Sequence, residues 1–229
     1  MKTIGLLGGM SWESSALYYR LINELVRDRL GGLHSAKIVM SSVDFAEIEE
    51  TQRSGDWELA GKLLAAEAAH VEAAGADFLV ICTNTMHKVT PEIEAAISIP
   101  LLHIVDAAAK VVTDAGIRTV GLLGTAFTME QDFYRQRLES YGLTVLIPDE
   151  AERADIHRVI YEELVLGIVK DSSRERYREI IASLCERGVE GIILGCTEIE
   201  LLVSGADSPV PLFPTTLIHA EAAVREALN

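Results

Sequence analysis

Short apolar runs alternate with longer amphipathic stretches along the whole chain. Lys2–Leu7 is expected to be a strand, and Gly8-Gly9-Met10-Ser11 the turn out of it. From Trp12 to Leu30 apolar positions return every three or four residues, the period of a helix. Ser11 is placed to cap that helix, with Glu13 in its first turn and Gly31-Gly32 at its end. Ala36–Ser42 reads as a second strand, and the polar Asp44–Asp56 as a loop or short helix. A helix over Trp57–Ala74 stops at Gly75, and a strand follows at Asp77–Ile81. Thr90-Pro91 opens a short helix to about Ala96, and Ile99-Pro100-Leu101-Leu102 begins another strand.

The order then repeats. It runs helix Ile104–Ala115, strand Thr119–Leu123, helix Met129–Tyr141, strand Leu143–Ile147, helices Glu150–Leu166 and Ser173–Arg187, and strand Gly191–Leu194. A last helix spans Thr216–Leu228. Such alternation predicts an α/β fold with parallel, doubly wound sheets. Gly5-Leu6-Leu7-Gly8 matches Gly121-Leu122-Leu123-Gly124; 78 residues separate Gly5 from Thr83 and 75 separate Gly121 from Cys196. Two pseudo-symmetric domains are therefore expected, with Thr83 and Cys196 at equivalent places. Residues 1–99 and 210–229 would form the first, to which the C-terminal helix returns, and 100–209 the second.

Each expected domain has an apolar strand that ends in small polar residues. Asp77–Ile81 leads into Cys82-Thr83-Asn84-Thr85-Met86-His87-Lys88, and Gly191–Gly195 into Cys196-Thr197-Glu198. Open α/β sheets hold ligands at the carboxyl ends of their strands, so both ends are expected to face one cleft with the active site in it. Cys196 is the main candidate for chemistry: backbone N–H groups of the following turn would favour its thiolate. A free cysteine is also commonly a small packing residue, which is the reading for Cys185 inside an amphipathic helix. Neighbouring strand residues point to opposite faces. If position 83 mirrors Cys196, Cys82 turns into helix packing and Thr83 meets the cleft. Asn84, Thr85, Thr125, Thr128 and Thr197 are neutral donors suited to carboxylate or phosphate oxygens, or else helix caps. Gly8-Gly9 lacks the spacing of a dinucleotide loop and reads as a tight turn.

Twenty basic and thirty-five acidic residues give a net charge of −15, against nucleic acid or anionic membrane as partners. Any anionic substrate must then be held by local groups. No apolar run is long enough for a bilayer, and the N-terminus lacks the pattern of a signal peptide, so a cytoplasmic protein is expected. Three cysteines without an export signal argue against a disulfide framework. Scattered histidines and the lack of a CxxC argue against a metal site.

Gly5-Leu6-Leu7-Gly8-Gly9-Met10, Asn84-Thr85-Met86-His87 and Gly195-Cys196-Thr197-Glu198 together resemble the aspartate/glutamate racemase family, in its amino-acid racemase branch. The resemblance implies a homodimer that uses no pyridoxal phosphate, metal or nucleotide. It implies a small acidic amino acid as substrate, whose Cα proton leaves on one face and is replaced on the other by a pair of cysteines. Carried onto this chain, the catalytic pair is Thr83 and Cys196, with Met10, Gln52, Asn84, Thr85, Thr125, Thr128, Thr197 and Glu198 around the substrate. Two positions depart from the family pattern. Thr83 stands where the first cysteine is expected, one residue after Cys82. Val165 stands where related racemases often have a lysine for a substrate carboxylate, so Gln52 or Arg53 is expected to take that role. The pair is unequal, and the L enantiomer is the expected substrate. Two alternatives belong to other classes: a dicarboxylate decarboxylase or cis–trans isomerase of the same superfamily, and a non-catalytic amino-acid-binding protein.

Overall fold

The computed structural model describes all 229 residues. The first half of the chain forms β1 (Ile4–Gly8), α1 (Trp12–Leu30), β2 (Ile38–Ser42), α2 (Phe45–Ser54), α3 (Trp57–Ala73), β3 (Phe78–Ile81), α4 (Thr90–Ala96) and β4 (Leu101–Leu102). Then come α5 (Ile104–Asp114), β5 (Thr119–Gly124), α6 (Ala126–Glu130), α7 (Asp132–Glu139), β6 (Thr144–Leu146), α8 (Glu150–Glu162) and α9 (Asp171–Glu186). The chain closes with β7 (Gly191–Gly195), α10 (Ile199–Leu202), β8 (Leu212–Pro214) and α11 (Thr215–Leu228). The strands make two four-stranded parallel sheets, ordered β2-β1-β3-β4 and β6-β5-β7-β8.

The chain divides into two compact units, 1–104 with 219–229, and 105–218. These bounds differ from the expected 99/100 and 209/210. β4 pairs with β3, which keeps 100–104 in the first unit, and β8 pairs with β7, which keeps 210–218 in the second. β8 has no counterpart among the expected strands: three residues beside Pro211 and ending on Pro214 are too short for periodicity to show. The end of α11 packs in the first unit.

In the first unit strand alternation sorts the core into two layers. Ile4, Leu6, Phe78, Val80 and Cys82 face α1 and α11, meeting Tyr18, Ile22, Val26, Ala220, Ala223 and Val224. Leu7, Leu79 and Ile81 face the other way, onto Ile48 of α2, Ala60, Leu64 and Ala68 of α3, and Ile93 of α4. Strands buried on both faces read as unbroken apolar runs, the pattern of a parallel sheet. The Ser11 side chain accepts from the Ser14 N–H at 3.3 Å to cap α1. The segment open between loop and helix is α2: Asp44 caps it, accepting from Ala46 N–H at 3.0 Å, and Gly55 at φ 76° closes it.

Two expected helices are shorter than their apolar pattern. Met129–Tyr141 is α6 and α7, separated at Gln131, whose extended backbone (φ −88°, ψ 145°) interrupts the helix. Glu150–Leu166 ends as an α-helix at Glu162 and finishes as a 3₁₀ turn, Leu164–Leu166, that holds the half-buried Val165.

Candidate active site

Sheet register identifies the equivalent residues. In the first unit Leu7 pairs with Ile81, and the Cys82 N–H donates to the Leu7 carbonyl at 2.9 Å. Gly8 therefore lies level with Cys82. In the second unit Gly124 pairs with Gly195. Cys82 is thus the counterpart of Gly195, and Thr83 that of Cys196.

Cys82 is fully buried among α1 and α11 side chains, and burial pushes its thiol far above the usual range. Its carbonyl accepts from the Ser14 hydroxyl at 2.8 Å. Thr83 is half-buried, and its carbonyl accepts from His87 Nδ1 at 2.8 Å. His87 Nε2 accepts from the Ile104 N–H at 3.2 Å, which assigns the ring a neutral Nδ1–H tautomer. Behind it lie His103 and His219, with ring centroids 4.5 and 5.8 Å away. His219 Nε2 donates to the Leu102 carbonyl at 2.8 Å, leaving Nδ1 to accept from the Tyr18 hydroxyl at 2.9 Å. Burial pulls His219 down to about 4, with the Leu102 carbonyl opposing. This group of buried imidazoles under Thr83 has no local signal in the sequence beyond His87 in its motif.

The other candidates of the first unit surround the same strand ends. Asn84 and Thr85 are buried in the turn after β3. Met10 shares a core with Ile48 and Met86. Gln52 is buried, and its Nε2 donates to Met86 Sδ at 2.9 Å. Arg53 is exposed and ion-paired with Glu50, so of the two residues expected to take a substrate carboxylate only Gln52 is turned inward.

In the second unit the Gly124–Gly195 pairing sets Thr125–Thr128 beside Cys196–Glu198. Thr125 caps α6 by accepting from the Thr128 N–H at 3.4 Å, and the two hydroxyls are 3.3 Å apart. Thr128 is fully buried and Thr197 nearly so. A Cβ on Gly124 would stand 3.1 Å from the Thr128 side chain, so any larger residue there would have to push Thr128 aside by a few tenths of an ångström.

Cys196 is half-buried, and its thiol donates to Glu198 Oε2 at 2.9 Å. Lost solvation, the Glu198 carboxylate and Glu200 hold the thiol well above its usual range. The Glu198 backbone acts in the opposite direction, as the sequence led us to expect, but is outweighed. The resting form is therefore a thiol bonded to a carboxylate, and not the thiolate expected from the turn. Behind it, buried Tyr177 is kept protonated by burial and by Cys196 and Glu163. Buried Glu163 accepts from Ser173 at 2.6 Å and is paired with Arg158 at 3.2 Å and Lys170 at 3.3 Å. A thiol in contact with a carboxylate is a proton-transfer pair: the proton can pass from sulfur to oxygen and leave a strong base. The Thr83 hydroxyl can give or relay a proton but is a far weaker acid than a thiol.

A family model described as Asp/Glu/Hydantoin racemase matches residues 7–223. A putative Asp/Glu racemase from Yersinia pestis is similar at 56% identity, with a TM-score of 0.95 and full coverage of both chains. An aspartate racemase homologue from Pyrococcus horikoshii OT3 is 34% identical, with a TM-score of 0.88 and full coverage of both. The broad specificity amino-acid racemase RacX of Bacillus subtilis is 26% identical over 160 residues, 69% of this chain and 67% of that protein.

Proposed function

The chain belongs to the Asp/Glu/hydantoin racemase family, and from that premise we propose that it racemises an acidic amino acid, aspartate or glutamate, without a cofactor. Cys196, once its proton has passed to Glu198, removes the Cα proton of the L enantiomer. A proton from the Thr83 side then closes the opposite face. Thr125, Thr128, Thr197, Asn84 and Thr85 supply neutral donors for the substrate's carboxylates, with Gln52 and Met10 at its side chain. The protein works as a cytoplasmic homodimer.

The observation that carries this reading is the Cys196–Glu198 contact at 2.9 Å, at the strand position equivalent to Thr83. Glu198 gives the thiol proton an acceptor within hydrogen-bond distance, and the transfer runs against the burial and charge that hold the thiol up. A threonine hydroxyl has no comparable reach. Abstraction from the D enantiomer by Thr83 is therefore slow, and the L enantiomer is the better substrate. The asymmetry alters rates and saturation, not the equilibrium constant.

The test is incubation of each enantiomer of aspartate and glutamate in D2O, following loss of the Cα proton. Exchange is expected from an L enantiomer, faster than from its D partner. Cys196→Ala should lower it by about 10²–10⁴-fold in a protein with unchanged melting behaviour. Binding without exchange, or carbon dioxide release from a malonate with no exchange at an amino acid, would overturn the reading.

A further inference from the structure

The turn that carries Thr125 and Thr128 is tied to a histidine on another helix. His157 lies in α8 and is half-buried, and its Nδ1 accepts from the Ala126 N–H at 3.2 Å. The Thr128 and Met129 N–H groups bond within the turn, both to Thr125. The His157 bond instead joins the turn to α8. With Nδ1 as acceptor, the neutral ring carries its proton on Nε2. Tyr161, one helical turn further on, packs against the ring with centroids 4.7 Å apart, and Phe127 meets it edge-on at 6.1 Å. A protonated ring has an N–H at both nitrogens and cannot accept. The Ala126 N–H and an Nδ1–H would then be opposed across the same gap.

Few charges face the ring. Glu130, at the end of α6, favours the charged form, and Arg153 of α8 pairs with Glu130 at 2.8 Å. Tyr161 is the other titratable neighbour. β5 ends in Leu123 and Gly124 and brings no charge. α9 meets α8 through Arg176, paired with Asp155, and Tyr177, bonded to the Ile156 carbonyl. Asp155 stands two residues from His157, so it points away from the ring on a helix. Arg158 is turned to Glu162 and Glu163.

We propose that His157 is a positioning residue: uncharged, it holds the Thr125–Thr128 turn in the shape that receives a substrate carboxylate, and on gaining a proton it lets the turn go. The proposal deepens the racemase reading and rests on it for the assignment of Thr125 and Thr128 to that carboxylate. His157 acts through the Ala126 N–H. While that bond stands, the Thr125 and Thr128 hydroxyls are kept 3.3 Å apart on a fixed backbone. When it is lost, the turn shifts and the hydroxyls leave their alignment. The effect falls on substrate binding and not on proton transfer at Cys196. Desolvation holds the ring below its ordinary value, with the Glu130 charge opposing. His157 is therefore neutral at about pH 7 and gains its proton only below about 6.5. Affinity for substrate should fall in that acid range.

The experiment has two readouts. NMR of isotope-labelled protein follows the Ala126 amide and the His157 ring from about pH 8 to about pH 5. The amide should shift with the midpoint of the ring. Kinetics with L-aspartate and L-glutamate then compare the parent with His157→Asn and His157→Phe, with thermal melts as the control for folding. The parent KM should rise about threefold to tenfold between about pH 7.5 and about pH 5.5, the worth of one hydrogen bond. His157→Asn offers Oδ1 in the place of Nδ1 and does not titrate, so its KM should match the parent at about pH 7.5 and stay level in acid. His157→Phe keeps the ring and loses the acceptor, so its KM should already be raised about threefold to tenfold at about pH 7.5. At each pH the variants' kcat should follow the parent within about twofold. An Ala126 amide that ignores the ring overturns the proposal. So does an acid rise in the KM of His157→Asn equal to the parent's, or a folded His157→Phe protein with the parent's KM, which would leave the ring a packing role alone. If the parent exchanges no Cα proton from any enantiomer, the racemase reading fails instead, and the Ala126 titration still decides whether His157 holds the turn.

Discussion

Two adjacent residues at the end of β3 differ in environment, and the difference decides which of them can meet a ligand. Cys82 continues the parity of Phe78 and Val80 into the α1–α11 layer, where burial keeps its thiol protonated. Thr83, one step on, is half-buried at the place equivalent to Cys196. Thr83→Cys should therefore build a two-thiol site and raise the initial rate from the D enantiomer, since a thiol ionises some six or more pH units below an aliphatic hydroxyl by rough comparison. Cys82→Ser should leave both rates close to the parent. It puts a hydroxyl into an apolar layer, so the loss should appear in stability, by about 1–3 kcal/mol. Initial rates from each enantiomer, with a thermal melt of both variants, make the check. Lost activity in a well-folded Cys82→Ser protein, with Thr83→Ala active, would reverse the assignment.

At the scale of elements, the turn after β3 is held by a device that couples it to α1 and to the start of α11. Thr83 is bonded to His87, whose ring lies against His103 and His219, and His219 bridges Leu102 and Tyr18. Every ring nitrogen described in His87 and His219 has a partner that suits the neutral form. His219 is lowered from about 6.5 in an unfolded chain to about 4 in the fold. The unfolded state therefore binds more protons between those values. The contribution is whole above pH 6.5 and is lost as the pH falls towards 4, amounting to about 3 kcal/mol at most. His219→Gln keeps a donor for Leu102 and an acceptor for Tyr18 without titrating. Urea unfolding at about pH 7 and about pH 4.5 should show a smaller acid-induced loss for the variant than for the parent. Equal losses would remove His219 as the cause.

For the whole molecule, two sheets of the same strand order present different side chains at equivalent strand ends: a thiol with its carboxylate acceptor in one, a hydroxyl in the other. The reaction proposed above calls on these groups and neutral donors alone, in a chain whose net charge is −15. Purified protein treated with chelator and dialysed should keep its full rate of Cα exchange. Activity that disappears and returns with added metal or pyridoxal phosphate would contradict the proposed chemistry.

The sequence by itself determined the alternation of elements, the repeat of the two halves and the positions of the two strand ends, because strand and helix periods and glycine stops are local properties. It also separated Cys82 from Thr83, since parity along a strand follows from the backbone. Only the tertiary structure decided the rest. β8 and the unit boundaries come from pairing partners far along the chain, and the breaks at Gln131 and Glu162 from backbone that apolar spacing does not report. Cys196 was expected as a thiolate because the turn amide is visible in sequence. Its true state depends on how far burial and the carboxylates of Glu198 and Glu200 outweigh that amide. Desolvation is a property of everything packed around a group, so no local pattern announced the protonation of Cys196 or the buried His219 beneath Thr83.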